Sequence, residues 1–541
     1  ALYEAALCRE RADWIVGINA TRLFSCLYGT TLNTGRVMSP TLAMAVEREA
    51  AIAAFQPEAF YQVQLHFDGF IVSGERMKTC EEAQNLAAFC QKEGSARTGK
   101  ITQTEKKEKS PALYDLTTLQ REANRVLGYT AQQTLDYTQA LYEKKLVTYP
   151  RTDSRYLTED MAEMLPDLVS AAADACFSMT SPVSVNAGQV INSKKVSDHH
   201  AIIPTKEVQA GSLSDLPKGE LEILRLVAKR LLVAVSDPCR YAETTVEISC
   251  GGIIFKAKGK TVLSAGWKEI EEKCGAKKNQ EKENVLPYME EGADLPLLSA
   301  EVKEGKTAPP KHFTEDTLLQ SMETAGANEM PDEAERRGIG TPATRAGIIE
   351  KLVQKGFLER RGNKKTRYLI PTQKGTSLIT ILPEQIQSPS MTADWEEKLL
   401  LIEQGDYSAE TFMEEICAMI QELTDTYEVV KGADVLMQNH VVIGNCPHCG
   451  AEMVERGKGW FCSNRECRFI LWADHAFFNK IGKRMTKQIA EKLVRDGRVK
   501  LKDCRSQKTG KTYNAAVLLE TENDGRPRFK MEFEDRRKSK R

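Results

Sequence analysis

The order in which helical and strand patterns follow one another is the feature of this chain that most constrains its fold. A length of 541 residues leaves room for several domains. Apolar residues repeat at helical spacing in three stretches, and strand alternation marks the two stretches between them. In order, these stretches cover residues 1–55, 56–110, 111–235, 236–310 and 311–430. The pattern predicts a multidomain α+β protein.

Several elements of the strand-rich stretches can be predicted individually. Residues 61–67 alternate as a strand, and residues 244–258 form two strand patterns around a Gly-Gly pair that suits a hairpin turn. Residues 100–109 are polar and rich in lysine, which predicts an exposed connection. Residues 271–310 are charged and contain Pro and Gly, which predicts loops and linkers.

A helix followed by a basic hairpin is predicted in the last helical stretch. A short helix over residues 314–322 comes first, and a second helix can begin at Pro342 and end at Gly356. Residues 357–372 then read as two strands with several basic side chains. This arrangement resembles a winged-helix unit and indicates DNA contact, although a basic hairpin that only faces solvent has the same pattern.

Charge and cysteine content limit the class of protein. The net charge is −1, but between residues 471 and 541 Lys and Arg outnumber Asp and Glu twofold, and the chain ends in RRKSKR at 536–541. A basic segment suits contact with a phosphate backbone, and a solubilising tail is the alternative. No apolar run is long enough for a membrane span. Most of the 14 cysteines are scattered, as in reduced cytoplasmic proteins.

The stretch TYPRTDSR at residues 148–155 places Tyr149 two positions before Arg151, with Pro150 limiting the backbone between them. A tyrosine hydroxyl is a poor nucleophile near neutral pH, because its ordinary pKa is about 10. A neighbouring guanidinium favours the phenolate and can bind the charge that develops on an attacked phosphate. The pattern therefore fits covalent catalysis on a phosphodiester, and taken alone it also fits an ordinary half-buried aromatic.

Four cysteines cluster near the C-terminus. Cys446 and Cys449 form a C-x-x-C pair, and Cys462 and Cys467 form a second pair with four residues between them. Two such pairs fit a four-thiolate Zn²⁺ site, with a redox C-x-x-C motif as the alternative. Four thiols complete the coordination shell of a tetrahedral Zn²⁺ ion, so His448 is not expected to be a ligand. Three aromatic residues here can stack on bases or pack around the metal: Trp460, Phe461 and Phe469.

Six ordered motifs run from the N-terminus to residue 345. They are RADWIVGIN at 11–19, GRVMSPTL at 35–42, LYDLTTLQREAN at 113–124, LYEKKLVTYPRTDSRYL at 141–157, DHHAIIPT at 198–205 and GIGTPATR at 338–345. Together they resemble the type IA DNA topoisomerases, and the bacterial topoisomerase III branch in particular. Their order and spacing match that family over roughly the first 430 residues.

This resemblance implies a toroidal type IA core in which the chain runs up one side of a ring and returns down the other. The tyrosine domain would be an insertion in a β-rich arch, and a zinc ribbon with a small α+β repeat would follow the core. The implied domains are a helical base at 1–55 and 311–430, the arch at 56–110 and 236–310, the tyrosine domain at 111–235, the ribbon at 440–472 and a basic C-terminal repeat at 473–541.

The resemblance also assigns roles in the reaction. Tyr149 would attack a DNA phosphate and keep the 5′-phosphate, Arg151 would neutralise that phosphate, and His199 would contact the phosphate near the scissile bond. His200 is expected to be structural. Transesterification conserves the phosphodiester energy, so no ATP is needed, and the sequence contains no G-x-x-x-x-G-K-[ST] loop.

Further DNA contacts are implied at three places. Arg9 and Asp13 lie four residues apart on one predicted helix face, where a simple surface pair is the alternative. Arg36 would be another backbone contact. Thr344 and Arg345 lie at a predicted helix start, which is a natural anion site.

Members of the family also carry a Toprim domain, whose acids hold Mg²⁺. The resemblance places that domain before the first helix, and the chain begins with ALYE as if within a helix, so an N-terminal truncation is expected. The chain alone is then expected to bind single-stranded DNA and to cleave it poorly. Full activity would need the Toprim domain and its Mg²⁺.

The implied partners are single-stranded and negatively supercoiled DNA, with a helicase as a further candidate. The protein is expected to be a cytoplasmic monomer that associates with the nucleoid or a plasmid and not with a membrane. A non-catalytic single-stranded DNA-binding remnant is one alternative. A tyrosine recombinase or type IB enzyme is another, but it would place the tyrosine after an H-x-x-R element, whereas Tyr149 precedes His199 and Ile202 occupies the arginine position.

Overall fold

The computed structural model describes residues 1–209, 211, 213–275, 285–325, 338–363, 366–430, 442–456, 458–464, 466–506, 510–522 and 524–532. The chain divides into two compact units, Ala1–Ala433 and Asp434–Arg541. The basic tail predicted at 536–541 lies outside the described residues. Within the described residues, no helix combines the length and apolar character that a membrane crossing requires.

Two helices open the first unit, α1 (Leu2–Tyr28) and α2 (Met38–Ala54). Small residues at helical spacing, such as Ala5, Ala12 and Val16, form the buried face of α1. The helix ends at Gly29, which adopts φ 65° in the left-handed region that glycine favours.

Two antiparallel sheets form the strand-rich region, in the strand orders β2-β1-β7 and β5-β4-β3-β6. Helix α3 (Cys80–Glu93) and the short helix α8 (Trp267–Lys273) accompany them. The predicted hairpin is confirmed, because Gly251 and Gly252 turn between β4 and β5 with positive φ. The strands are β1 (Ala59–Phe67), β2 (Phe70–Ser73), β3 (Ser95–Glu108), β4 (Cys239–Cys250), β5 (Ile253–Ser264), β6 (Asp294–Pro296) and β7 (Ser299–Lys306).

Two expectations for this region are wrong. Residues 100–109 are not a connection, because β3 continues to Glu108 and pairs with β4 along its length. Residues 299–306 lie in the predicted loop zone but form β7, which pairs with β1. Both stretches are largely exposed, so charged and polar side chains replace the apolar alternation on which strand prediction depends.

Four helices and their shared apolar core form the segment that carries the predicted tyrosine. Buried leucines from all four helices meet in this core, including Leu119, Leu141, Leu168 and Leu231. Among the described residues, the connections contain the short 3-10 helices Glu159–Met161, Ala187–Gln189 and Ser193–Lys195. The helices are α4 (Leu116–Leu127), α5 (Ala131–Glu143), α6 (Leu165–Phe177) and α7 (Lys218–Ala234).

The returning chain is helical again and contains the predicted hairpin. The helix predicted near residue 314 is confirmed, as is the helix that begins at Pro342. Strands β8 and β9 pair to form the predicted hairpin. The elements are α9 (Glu315–Thr324), α10 (Pro342–Gln354), β8 (Leu358–Gly362), β9 (Arg367–Pro371), α11 (Gln373–Ile381), α12 (Glu384–Gln387), α13 (Ser390–Gln404) and α14 (Ala409–Thr426).

Elements of the outgoing chain pair with elements of the returning chain in nested order. Helix α1 packs against α13 and α14, β1 pairs with β7, and β3 pairs with β4. The four-helix segment lies between the two arms of this nesting. It is therefore an insertion in the sequence between β3 and β4, and α9 and α10 of the returning chain pack against it.

The second unit builds one hydrophobic core from two segments that the sequence suggested were separate domains. Trp460 and Leu471 of the first sheet share this core with Leu493 and Val517 of the second part. Its elements are β10 (Val442–Asn445), β11 (Glu452–Arg456), β12 (Gly459–Cys462), β13 (Ile470–Trp472), α15 (Ala476–Lys480), α16 (Lys487–Asp496), β14 (Arg498–Arg505), β15 (Thr512–Thr521) and β16 (Pro527–Glu532).

Candidate active site and metal centre

The segment that carries Tyr149 is bound edge to edge to the segment that carries His199. The amide of Thr148 donates to the carbonyl of Ile203 at 3.0 Å, and its hydroxyl donates to the carbonyl of Ala201 at 3.0 Å. Val147 and Pro204 form an antiparallel bridge. Two motifs that lie about fifty residues apart in the sequence are thereby placed side by side.

This pairing brings the two predicted catalytic rings together. The ring centroids of Tyr149 and His199 are 4.3 Å apart, with an interplanar angle of 45°. Tyr149 is half-buried, whereas Arg151 and His199 are exposed. Tyr149 and His199 are thus in ring contact at an accessible surface, and the exposed Arg151 follows Tyr149 by two residues in the same segment.

Buried hydroxyls around Tyr149 fix the course of the backbone. Thr152 is almost fully buried, and its hydroxyl donates to the carbonyl of His199 at 2.7 Å while accepting from the amide of Ser154 at 3.1 Å. The hydroxyl of Ser154 donates to the carbonyl of Lys195 at 2.8 Å. These hydroxyls bond to backbone groups that have no partner in a helix or strand. They therefore hold an irregular loop in one conformation.

The predicted DNA contacts near the N-terminus form a buried ion-pair network. Arg36 donates from Nε to Asp13 Oδ1 at 2.6 Å and from Nη1 to Glu396 Oε1 at 3.0 Å. Arg9 donates to Glu396 Oε2 at 2.5 Å. The Arg36 and Glu396 side chains are only 4% and 3% exposed, whereas Asp13 is 44% exposed. Glu396, which the sequence did not single out, thus joins Arg9 to Arg36, and Arg36 in turn binds Asp13.

Opposing effects set the ionisation of this network. Burial disfavours the charge of Glu396, but the hydrogen bond from Arg9 and the attraction of Arg36 outweigh it, so the pKa of Glu396 lies below its ordinary value. Burial likewise opposes the charge of Arg36, and Asp13 and Glu396 outweigh it to raise the pKa of Arg36. Arg36 also stacks over the ring of Trp395 at 5.1 Å.

The start of α10 is engaged with the protein itself. Thr341 caps the helix, and its hydroxyl and that of Thr344 form a reciprocal capping box. Arg345 is 3% exposed, and it donates from Nε to the carbonyl of Ile339 at 3.2 Å and from Nη1 to the hydroxyl of Thr117 at 3.3 Å. Thr117 belongs to α4, so this predicted anion site also links the returning helices to the four-helix segment.

A second link between these parts of the chain was not predicted. The buried carboxylate of Glu315 in α9 accepts the amide of Ala131 at 2.6 Å, at the N-terminus of α5, and the Nε of Arg360 at 2.9 Å. The first of these bonds suits the positive end of the helix dipole. Burial raises the pKa of Glu315, and Arg360 opposes that rise. Nothing local in the sequence indicates a contact of this kind.

The four predicted metal ligands lie together in the second unit. The Sγ atoms of Cys446, Cys449, Cys462 and Cys467 are all within 4.8 Å of one another. Two pairs approach more closely, Cys446 with Cys467 at 3.8 Å and Cys449 with Cys462 at 3.3 Å. Sulfurs about 2.3 Å from a tetrahedral Zn²⁺ ion would lie about 3.8 Å apart, so the cluster fits a zinc ribbon.

The thiols of this cluster differ in acidity. The amide of Ala451, with support from the thiol of Cys462, lowers the pKa of Cys449 to about 7. Burial raises the pKa of Cys462 and of Cys446. One readily ionised thiolate beside three further thiols is a donor set that a soft divalent cation can complete.

Comparison with known proteins agrees with this geometry. A family described as DNA topoisomerase matches residues 1–414. A solved structure of full-length topoisomerase I from Thermotoga maritima has the same fold, with a TM-score of 0.61 over 85% of this chain and 74% of that chain at 24% identity. The chain therefore belongs to the type IA DNA topoisomerase family.

Its curated relatives include topoisomerase III proteins of bacilli. The chain is 38% identical over 492 residues to DNA topoisomerase 3 of Bacillus licheniformis and 36% identical over 498 residues to that of Bacillus subtilis strain 168. In both cases the match covers 86% of this chain and 66% of the relative. The chain thus spans slightly under two thirds of the length of these relatives.

Proposed function

We propose that this chain is the strand-cleaving and strand-passing part of a type IA DNA topoisomerase of the topoisomerase III branch. Tyr149 attacks a phosphodiester of single-stranded DNA, becomes linked to the 5′-phosphate and releases a 3′-hydroxyl. Religation reverses the exchange after another strand has passed, so negatively supercoiled DNA is relaxed or linked circles are separated without ATP. The observation that carries this proposal is the 4.3 Å contact of the Tyr149 and His199 rings, with Arg151 exposed two residues away.

Each side chain has a distinct part in this scheme. Arg151 binds the attacked phosphate, because its planar guanidinium matches two phosphate oxygens. His199 contacts the same phosphate from the facing segment. Arg9 and Asp13 extend the DNA contact away from the break, supported by the buried Arg36. Thr344, which is exposed, is assigned to the strand near the start of α10, and the buried Arg345 holds that helix against α4.

Two metal ions belong to the proposal. The four-cysteine cluster holds Zn²⁺ as a structural ion of the second unit. Cleavage and religation use Mg²⁺ held by acidic residues of a Toprim domain, which the described residues do not include. Negatively supercoiled plasmid or chromosomal DNA in the cytoplasm is the proposed substrate, the enzyme acts as a monomer, and a helicase that exposes single strands is the proposed partner.

The test uses the complete product of the gene with Mg²⁺ and a single-stranded oligonucleotide. Denaturant added during the reaction should trap a covalent protein–DNA complex, and end-labelled DNA should show the protein on the 5′ side of the break. Tyr149→Phe should abolish the complex, while Tyr288→Phe should preserve it, because Tyr288 is 89% exposed and has no part in the proposed site.

The same experiment separates the rival functions. A complex that persists in Tyr149→Phe overturns the assignment of the nucleophile. Protein attached to the 3′ side indicates the chemistry of a tyrosine recombinase or type IB enzyme. Tight DNA binding without any covalent complex, in the presence of Mg²⁺, identifies a non-catalytic binding protein.

A further inference from the structure

A second tyrosine contacts the proposed nucleophile. Tyr142, in the last turn of α5, meets Tyr149 edge to face, with ring centroids 5.4 Å apart and an interplanar angle of 80°. Tyr149 therefore touches an aromatic ring on the helix as well as the ring of His199 on the facing segment. Edge-to-face geometry is the favourable arrangement for two aromatic rings.

The helix that carries Tyr142 is held firmly at its start. Thr130 and Gln133 form a capping box at the N-terminus of α5. The amide of Ala131 donates to the buried Glu315 at 2.6 Å. Thr138 and Leu141 in the following turns are fully buried. The end of the helix therefore has little freedom to move relative to the core.

A tight turn then brings the chain back to Tyr149. The amide of Lys145 donates to the carbonyl of Tyr142 at 2.8 Å, and the amide of Leu146 donates to that of Leu141 at 2.9 Å. Lys145 adopts φ 61°, a left-handed conformation that is uncommon for a residue with a side chain. The turn places two tyrosines seven residues apart against one another, each on a fixed stretch of backbone.

We propose that Tyr142 is a positioning residue that restricts the Tyr149 side chain to the orientation in which its hydroxyl faces the DNA phosphate. This inference rests on the proposed function. Tyr149 is only half-buried, so its ring would otherwise exchange between rotamers, and a nucleophile held in the reactive orientation reacts faster. The ring of Tyr142 provides this contact, and its hydroxyl has no role in it.

The inference predicts how three substitutions of Tyr142 change the rate of DNA cleavage. Tyr142→Phe keeps the ring and should cleave DNA at the rate of the unsubstituted protein. Tyr142→Leu and Tyr142→Ala remove the ring, and the single-turnover cleavage rate at saturating oligonucleotide should fall roughly tenfold, the scale of one aromatic contact. Because Tyr142 is 39% exposed, these changes should leave the fold intact, which a thermal melt checks.

Tyr137→Leu is the matched control. Tyr137 lies on the same helix and packs against Tyr129, with ring centroids 5.2 Å apart. Its substitution disturbs the helix surface without touching Tyr149, so the cleavage rate should be unchanged. The complete gene product, Mg²⁺ and one oligonucleotide are used throughout, and binding is measured separately from cleavage.

Each possible result either supports or overturns the positioning role of Tyr142. A tenfold loss of rate in Tyr142→Leu, with affinity changed less than about twofold and with Tyr142→Phe active, supports the inference. An unchanged rate, a loss confined to affinity as expected for base stacking, or an equal loss in Tyr137→Leu overturns it. If the unsubstituted protein forms no covalent complex, the proposed function falls and this inference falls with it.

Discussion

Thr152 and His199 are joined by a hydrogen bond in which the threonine hydroxyl donates to the histidine carbonyl at 2.7 Å. The bond connects the loop after the proposed nucleophile to the backbone of the histidine itself. Thr152 is 3% exposed, so its hydroxyl is shielded from water that could replace the bond. The buried Thr152 therefore links the backbone that follows Tyr149 to the backbone of His199.

Replacing Thr152 with valine should weaken both stability and cleavage. The substitution conserves shape but leaves the His199 carbonyl and the Ser154 amide without their partner, which costs about 1–3 kcal/mol. Thr104→Val, on the exposed part of β3, should change stability by less than about 0.5 kcal/mol. Urea denaturation and the covalent-complex assay measure the two effects, and a Thr152→Val protein as stable as Thr104→Val would contradict this role.

Replacing Glu396 with glutamine should destabilise the first unit strongly. The change leaves two arginines, Arg9 and Arg36, short of a buried counter-charge, and removing one partner of a buried ion pair costs on the order of 3 kcal/mol. Glu397→Gln removes a neighbouring exposed carboxylate and should have little effect. The difference in urea denaturation midpoint measures the contribution, and equal midpoints would show that the network adds nothing.

Acid should remove this contribution in a defined range of pH. The pKa of Glu396 is depressed in the folded protein, so the unfolded chain takes up its proton first as the pH falls. The stability that Glu396 supplies is therefore fully present above its ordinary pKa of 4.5 and is lost as the pH falls below that value. Unfolding measured at pH 7 and down to pH 3 should show a steeper acid loss in the unsubstituted protein than in Glu396→Gln.

Replacing Cys462 with serine should abolish metal binding by the second unit. Cys462 and Cys446 belong both to the thiol cluster and to the hydrophobic core of that unit, so loss of the metal should also loosen the core. Cys504→Ala is the matched control, because Cys504 is buried in the same core but is not part of the cluster. Elemental analysis after dialysis should find about one zinc per chain in the control, and zinc retained by Cys462→Ser would exclude the site.

The parts of the molecule that could be predicted from the sequence are those specified by neighbouring residues. Tyr149 and Arg151 are two positions apart, and the spacing of the two cysteine pairs indicates a four-thiolate metal site. The contact between Tyr149 and His199 was expected only from the family resemblance, because it depends on pairing between distant segments.

The rest depends on contacts that leave no local pattern. Glu396 meets Arg36 across 360 positions of sequence, and an acidic residue in an ordinary helix gives no sign of such a partner. The sequence does not single out Tyr142, because helical spacing alone does not show that the following turn brings Tyr149 back against its ring. The sequence predicts a connection where the end of strand β3 lies, because exposed strands lack the apolar alternation that marks strands in a core.

The nested pairing of the first unit has a consequence for synthesis on the ribosome. Strand β1 emerges about 240 residues before its partner β7, since Val63 pairs with Val302. At usual elongation rates that interval is on the order of ten seconds or more. All core residues of the inserted four-helix segment have been synthesised before it ends. The segment that carries Tyr149 should thus complete its core before β1 pairs with β7, and the early strands should wait as unpaired edges that a nascent-chain chaperone could shield.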